Sequence, residues 1–188
     1  MNISGTGHRP NKAWGSYQWN TDKFLRIKKI IKNKLIEIIE NKLKENKEEK
    51  FYFHVGGALG FDQMLFEIAY ELKTYYSTKI FIEYCIPFKD QPKTWISKED
   101  INRYFNQIQL SDKVTYVDTL SEYNNGLPID IYDNKKMQYR NMYMVDKLVN
   151  EDDILIALWD KSKGGTYNCI NYAEKQNKNI LYFNPFLL

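Results

Sequence analysis

His8 and Arg9 close the first β-compatible run of the chain, residues 2–6, and open a polar loop, Gly7-His8-Arg9-Pro10. An imidazole beside a guanidinium at the carboxyl end of a strand stands where open α/β sheets bind their ligands. Arg9 can hold a phosphate through two parallel N–H donors, and His8 can donate a hydrogen bond or move a proton. The same pair can also serve structure alone, Arg9 meeting a carboxylate and His8 closing the loop. A second stretch of this kind follows the β-rich segment Phe51-Tyr52-Phe53-His54-Val55: a turn, Gly56-Gly57-Ala58-Leu59-Gly60, then a helical pattern from about Asp62. A turn without Cβ atoms lets an anion approach backbone N–H groups aimed outward by a helix start. Asp62 is placed to cap that helix or to meet a ribose hydroxyl.

Two further groups complete the set. From Lys136 a helical pattern carries Met142, Val145, Leu148 and Val149 as packing positions, which leaves Arg140, Asn141 and Asp146 as polar groups needing partners. Arg140 can reach a phosphate or a carboxylate. Then an apolar run over 153–159 leads into Asp160-Lys161-Ser162-Lys163-Gly164-Gly165-Thr166, a second strand, glycine turn and helix. Three aromatic residues, Trp14, Tyr17 and Trp19, sit after the first loop, where rings can stack on a base or cover the edge of a core.

These residues need elements to position them. Phe24, Ile27, Ile31, Leu35 and Leu43 recur at helical intervals, predicting a long amphipathic helix from Thr21. The spacing predicts a buried strand over 79–86, a helix over 97–109, a strand over 113–117 and a last strand over 179–183. Residues 118–133, with Asn124-Asn125-Gly126 and Pro128, show no period and are expected to form a loop crossing the binding edge. Strands alternating with helices imply one α/β domain over 1–188, its mostly parallel sheet flanked by helices on both faces. Both glycine turns then fall at one carboxyl edge.

Composition narrows the classes. With 188 residues and 43% hydrophobic content the chain suits one domain with a core of its own. The 27 basic and 24 acidic residues nearly balance, and the lysines of the first long helix alternate with glutamates, so a solvated face is favoured over a nucleic-acid surface. DNA binding through that helix is the third reading in rank. Cys85 and Cys169 have no metal-ligand spacing, so neither metal nor cofactor is expected. The amino terminus lacks the order of a signal peptide and no apolar run suits a bilayer span, from which a cytoplasmic setting is expected.

Four blocks together carry a resemblance: Gly5-Thr6-Gly7-His8-Arg9-Pro10; Gly56-Gly57-Ala58-Leu59-Gly60-Phe61-Asp62; Arg140-Asn141 with Met144-Val145-Asp146; and Trp159-Asp160 with Gly164-Gly165-Thr166-Tyr167-Asn168-Cys169. In this order, over nearly the whole chain, they resemble the SLOG superfamily, and within it the small bacterial and phage Rossmann-like proteins that open with Gly-His-Arg-Pro. The resemblance implies a nucleotide-related ligand, bound at Gly7, His8, Arg9, Gly56, Gly57, Gly60, Asp62, Arg140, Asn141, Asp160, Gly164, Gly165, Thr166 and Asn168. It also implies assembly as a homo-oligomer and no membrane partner. Relatives include phosphoribohydrolases with the signature Pro-Gly-Gly-x-Gly-Thr-x-x-Glu. Here Cys169 takes the place of that glutamate and Lys163 that of one glycine. A thiol is a poor substitute for a carboxylate that stabilises an oxocarbenium-like sugar or activates water. The expectation is therefore a sensor or sequestering protein of phage or host, with a nucleotide N-glycosidase using Asp62 or Asp146 as the alternative.

Overall fold

The computed structural model covers residues 1–188. In chain order its elements are β1 (Asn2–Gly7), α1 (Pro10–Ala13), α2 (Asp22–Glu45), β2 (Phe51–Val55), α3 (Phe61–Tyr76), β3 (Ile80–Ile86), α4 (Lys98–Leu110), β4 (Lys113–Tyr116), α5 (Ser121–Asn124), α6 (Asn134–Asp146), β5 (Ile154–Leu158), α7 (Gly165–Lys175) and β6 (Asn179–Phe183). The predicted elements are all present, most with ends shifted by a residue or two, while the helix expected to pack Leu148 and Val149 ends at Asp146. Residues 118–133 are more ordered than expected: a 3-10 turn at Val117–Thr119 and the one-turn α5 break up the loop.

Local chemistry explains the helix boundaries. The Thr21 hydroxyl accepts from the Phe24 N–H at 3.2 Å, and Ser97 accepts likewise from Asp100, so each caps a helix by satisfying a donor that has no partner within it. Behind the first cap, Phe24, Ile27, Ile31, Leu35 and Ile39 are all buried, a stripe every three to four residues. The charges between them are solvated and paired: Lys28 meets Glu67 at 2.7 Å and Lys32 meets Glu71 at 2.7 Å. These pairs lie between α2 and α3.

The six strands form one sheet in the order β4-β3-β2-β1-β5-β6, and every neighbouring pair is parallel. The chain builds outward from β1 to β4 and then returns to place β5 on the other side of β1. At their carboxyl ends the loops after β1 and β5 therefore turn to opposite faces and leave a crevice, the usual ligand position of such sheets. Helices cover both faces. On one, α2, α3 and Tyr104 of α4 pack with Phe51, Phe53, Val55, Ile80, Ile82 and Tyr84 in the main core. On the other, Val145 of α6, Leu148 just after it, and Cys169 and Ala173 of α7 pack around Leu155.

That second face also holds a buried polar network. Glu83 on β3 accepts from His54 at 2.7 Å, Thr115 at 2.6 Å and Tyr143 of α6 at 2.7 Å, and pairs with Lys113 at 2.7 Å. Burial opposes its ionisation, but the four donors outweigh it and hold the carboxyl well below the usual range. The network fastens α6 to the sheet, which matters because α6 carries Arg140.

Candidate functional site

Expected packing on α6 needs correction. Val149 lies beyond the helix and is exposed, and the buried stripe begins with two cations: Lys136, Arg140, then Tyr143 and Met144. Buried cations require partners, and both have them. Lys136 Nζ donates to Asp118 at 2.8 Å and to the Pro128 carbonyl. Arg140 Nη1 donates to the Gly56 carbonyl and lies 3.3 Å from Asp62 Oδ2, while Nε donates to Asn141 Oδ1 at 3.0 Å.

Asp62 is not the N-cap of α3. That position belongs to Gly60, whose φ of 107° and van der Waals approach to the His8 carbonyl admit no side chain. Asp62 lies within the first turn, and its Oδ2 accepts from the Ala58 N–H at 3.2 Å, bracing the turn before it. Burial pushes its carboxyl up, while Arg140, the Ala58 N–H and Arg9 pull back. The other glycines of this turn are equally committed to protein. A Cβ at Gly56 would lie 1.8 Å from Arg140 Nη1, and one at Gly57 would lie 2.5 Å from the Tyr84 ring. The turn thus accommodates side chains, and only its Ala58 and Leu59 reach the crevice.

The crevice is a cleft of about 470 Å³ at the carboxyl ends of β1 and β5. Its walls join the loop after β1, the turn after β2, α6 and the start of α7. Four cations, Arg9, Lys12, Arg140 and Lys163, face one carboxylate, Asp62. Gly164, Gly165 and Thr166 form the opposite lip, and a Cβ at either glycine would meet nothing within 4 Å. The first intrahelical bond of α7 runs from the Asn168 N–H to the Gly164 carbonyl at 3.0 Å. The N–H groups of Gly165, Thr166 and Tyr167 precede it, at the positive end of the helix. Anionic oxygens suit this edge.

His8 acts across the crevice. Its N–H donates to the Leu158 carbonyl at 3.2 Å, continuing the β1–β5 pairing one step past the strand. Its Nε2 lies 2.6 Å from Asp160 Oδ1. Burial raises the Asp160 carboxyl, but the Ser162 hydroxyl, the Ser162 N–H and His8 outweigh it and hold it down to about 2. The Asp160 N–H also approaches Nε2, at 3.1 Å. His8 and Asp160 thereby tie together the two loops that form the crevice.

The family is now decidable from sequence similarity as well. A family model described as the YspA SLOG family matches residues 3–186. The chain belongs to that SLOG family. It is also 35% identical over 147 residues to the uncharacterized SPbeta prophage-derived protein YoqJ of Bacillus subtilis (strain 168), an alignment covering 77% of this chain and 81% of the relative. Both observations agree with the all-parallel Rossmann-like sheet.

In this SLOG chain the expected site residues divide into four sets. Gly7, His8, Arg9, Asp62, Arg140, Asn141, Gly164, Gly165 and Thr166 come together on the cleft, with Asp160 behind His8. Gly56, Gly57 and Gly60 lie behind its wall. Asn168 faces a neighbouring cleft between α6 and α7, which Asn141 also borders. Asp146 is on the other side of α6, where its carboxylate accepts from Tyr123 at 2.8 Å and Tyr172 at 2.9 Å. Six residues of helix separate it from Arg140, and that rotation turns it away. Cys169 is buried among Val145, Leu148 and Leu155, and burial pushes its thiol up to about 12. Asp62 is the carboxylate of the cleft.

Tyr17, one of the three aromatic residues read as able to stack or to cover the core edge, lines the cleft, and so does Lys12 of the one-turn α1, where a lone lysine carries no sequence pattern that points inward. Ligand atoms of His54, Glu83 and Cys85 lie within 4.8 Å of one another, the spacing of a metal set. Glu83 already receives four donors, one of them the Lys113 ammonium, and burial keeps the Cys85 thiol protonated, so these residues fit a hydrogen-bonded network and not a cation. No helix is long and apolar enough to cross a membrane.

Proposed function

We propose that this protein binds a nucleotide-related small molecule at the carboxyl edge of the sheet and acts as a sensor or sequestering protein. One observation carries the reading: four cationic side chains and the open amino end of α7 line a single cleft. Phosphates bind such an edge through backbone N–H groups and a guanidinium. Arg9 is the principal charged contact, because Arg140 is already engaged by Gly56, Asp62 and Asn141. The prophage origin of the Bacillus subtilis relative supports a role in the encounter of phage and host. A cytoplasmic homo-oligomer is part of this reading, and light scattering on the purified chain measures the assembly.

A second reading has one observation in its favour. Asp62 is a buried carboxylate with a raised pKa beside two guanidiniums, an arrangement able to serve a nucleotide N-glycosidase. Incubation with AMP and ADP-ribose, followed by chromatography, separates the two. Intact ligand, bound with an affinity that Arg9→Ala weakens on the order of tenfold or more, supports binding. Release of free base that stops in Asp62→Asn supports the enzyme. Unchanged affinity in Arg9→Ala removes the proposed contact.

A further inference from the structure

A groove larger than the cleft, about 650 Å³, runs between α2 and α3. Its α2 wall includes Leu25, Lys29, Asn33, Ile36 and Glu40, and its α3 wall carries Tyr75. The α2 residues recur every three or four positions, so they form a second helical stripe beside the buried one of Phe24, Ile27, Ile31, Leu35 and Ile39. The apolar groups at this groove lie open, with Leu25 52% exposed and Tyr75 75% exposed. Lys32 Nζ stands 5.6 Å from the centroid of the Tyr75 ring.

Charge is segregated along α2. Its first half carries Lys23, Arg26, Lys28, Lys29 and Lys32 against Asp22, while Glu37, Glu40 and Glu45 all fall in the second half. Within the chain Lys28 and Lys32 take Glu67 and Glu71, and Lys34 takes Glu37. Lys29 and Glu40 are left without an ion pair, Glu40 accepting only from the Tyr76 hydroxyl at 3.4 Å. On the groove stripe these two lie about three turns apart. A helix face positive toward one end and negative toward the other is complementary to an antiparallel copy of itself. With a two-fold axis between Lys34 and Leu35, Lys29 meets Glu40 of the partner subunit and Asn33 meets the partner's Ile36, and symmetry repeats both contacts.

We propose that this groove is the face through which two copies of the chain pair, α2 lying antiparallel to α2 of the partner subunit. The inference rests on the assembly named above and gives it a surface, an isologous one in which the same patch serves both copies. Groove and cleft share no lining residue, so pairing and ligand binding can succeed or fail separately.

Sedimentation velocity on the full chain across a concentration series tests it. Wild type should pass from monomer to dimer as concentration rises. Lys29→Glu and Glu40→Lys each set like charges against each other at two symmetric points, and each should weaken pairing on the order of tenfold or more. An equimolar mixture of the two variants restores both ion pairs in the mixed dimer and should recover wild-type association, as should the double reversal in one chain. Both residues are exposed, and thermal melts verify that each variant is folded. A wild type that stays monomeric at every concentration overturns the pairing. A dimer indifferent to both single reversals, or a mixture that fails to recover, overturns this face. AMP titrations of the same samples should be unchanged by either reversal, and absence of AMP binding would strike the ligand reading while leaving the sedimentation result to stand by itself.

Discussion

The two glycine turns of this chain look alike as sequence and differ as structure. Each follows a buried parallel strand and opens a helix. In the turn after β2, side chains on Gly56, Gly57 and Gly60 would collide with Arg140, Tyr84 and the His8 carbonyl. In the turn after β5, Gly164 and Gly165 face open space on the cleft. Glycine marks a place where something comes close to the backbone, and the neighbouring elements decide whether that is protein or ligand. The first turn builds the wall, and the second presents the N–H groups.

The strongest way to break the comparison is to empty the first turn. Arg140→Ala removes the cation that compensates the buried Asp62 carboxylate and leaves the Gly56 carbonyl without its donor. Breaking one partner of a buried pair costs about 3–5 kcal/mol, so chemical denaturation should show a loss of stability on that scale. A change below about 1 kcal/mol would mean that Arg140 is not held as described. Next in size is the pair of alanine substitutions. Gly56→Ala forces the guanidinium aside and should cost about 1–3 kcal/mol, as overpacking does. Gly165→Ala, in an open position of a helix start, should change stability by less than about 0.5 kcal/mol while weakening AMP binding in titration. Equal destabilisation by both would erase the distinction between the turns.

The sequence discloses the architecture because its signals are local and periodic. Stripes such as Phe24, Ile27, Ile31 and Leu35, and runs such as Ile154 to Leu158, follow from burying one helix face or a whole parallel strand. It discloses less of the site, because the deciding contacts are long-range. Arg140 and Gly56 are 84 positions apart, and His8 and Asp160 are 152 apart. Periodicity assigns a buried stripe on α6 to apolar residues, and Lys136 breaks that rule only because Asp118 waits on another element. The Asp146 carboxylate was equally ambiguous, since only helix rotation and the two tyrosine hydroxyls decide that it faces away from the cleft.

The smallest expected effect concerns the link between the second turn and the loop after β1. Asp160 is held at about 2, below its ordinary value of 3.8, with the Ser162 hydroxyl and N–H and the His8 ring as the favourable contacts. A carboxyl whose folded pKa is depressed contributes stability above its unfolded value and loses it as pH falls through the folded one. Wild type should therefore lose this contribution between about pH 4 and about pH 2. Asp160→Asn lacks the titration, so the difference in stability between the two proteins should be greatest near neutrality and shrink across that window. Other depressed carboxyls, Glu83 among them, titrate in both proteins and cancel in the difference. The amide can still hydrogen-bond the His8 ring and accept from Ser162, so the loops should remain tied and AMP affinity at neutral pH should change little. A large loss of affinity would instead place the Asp160 charge in the ligand site itself, and the second turn would then be more than a frame for backbone donors.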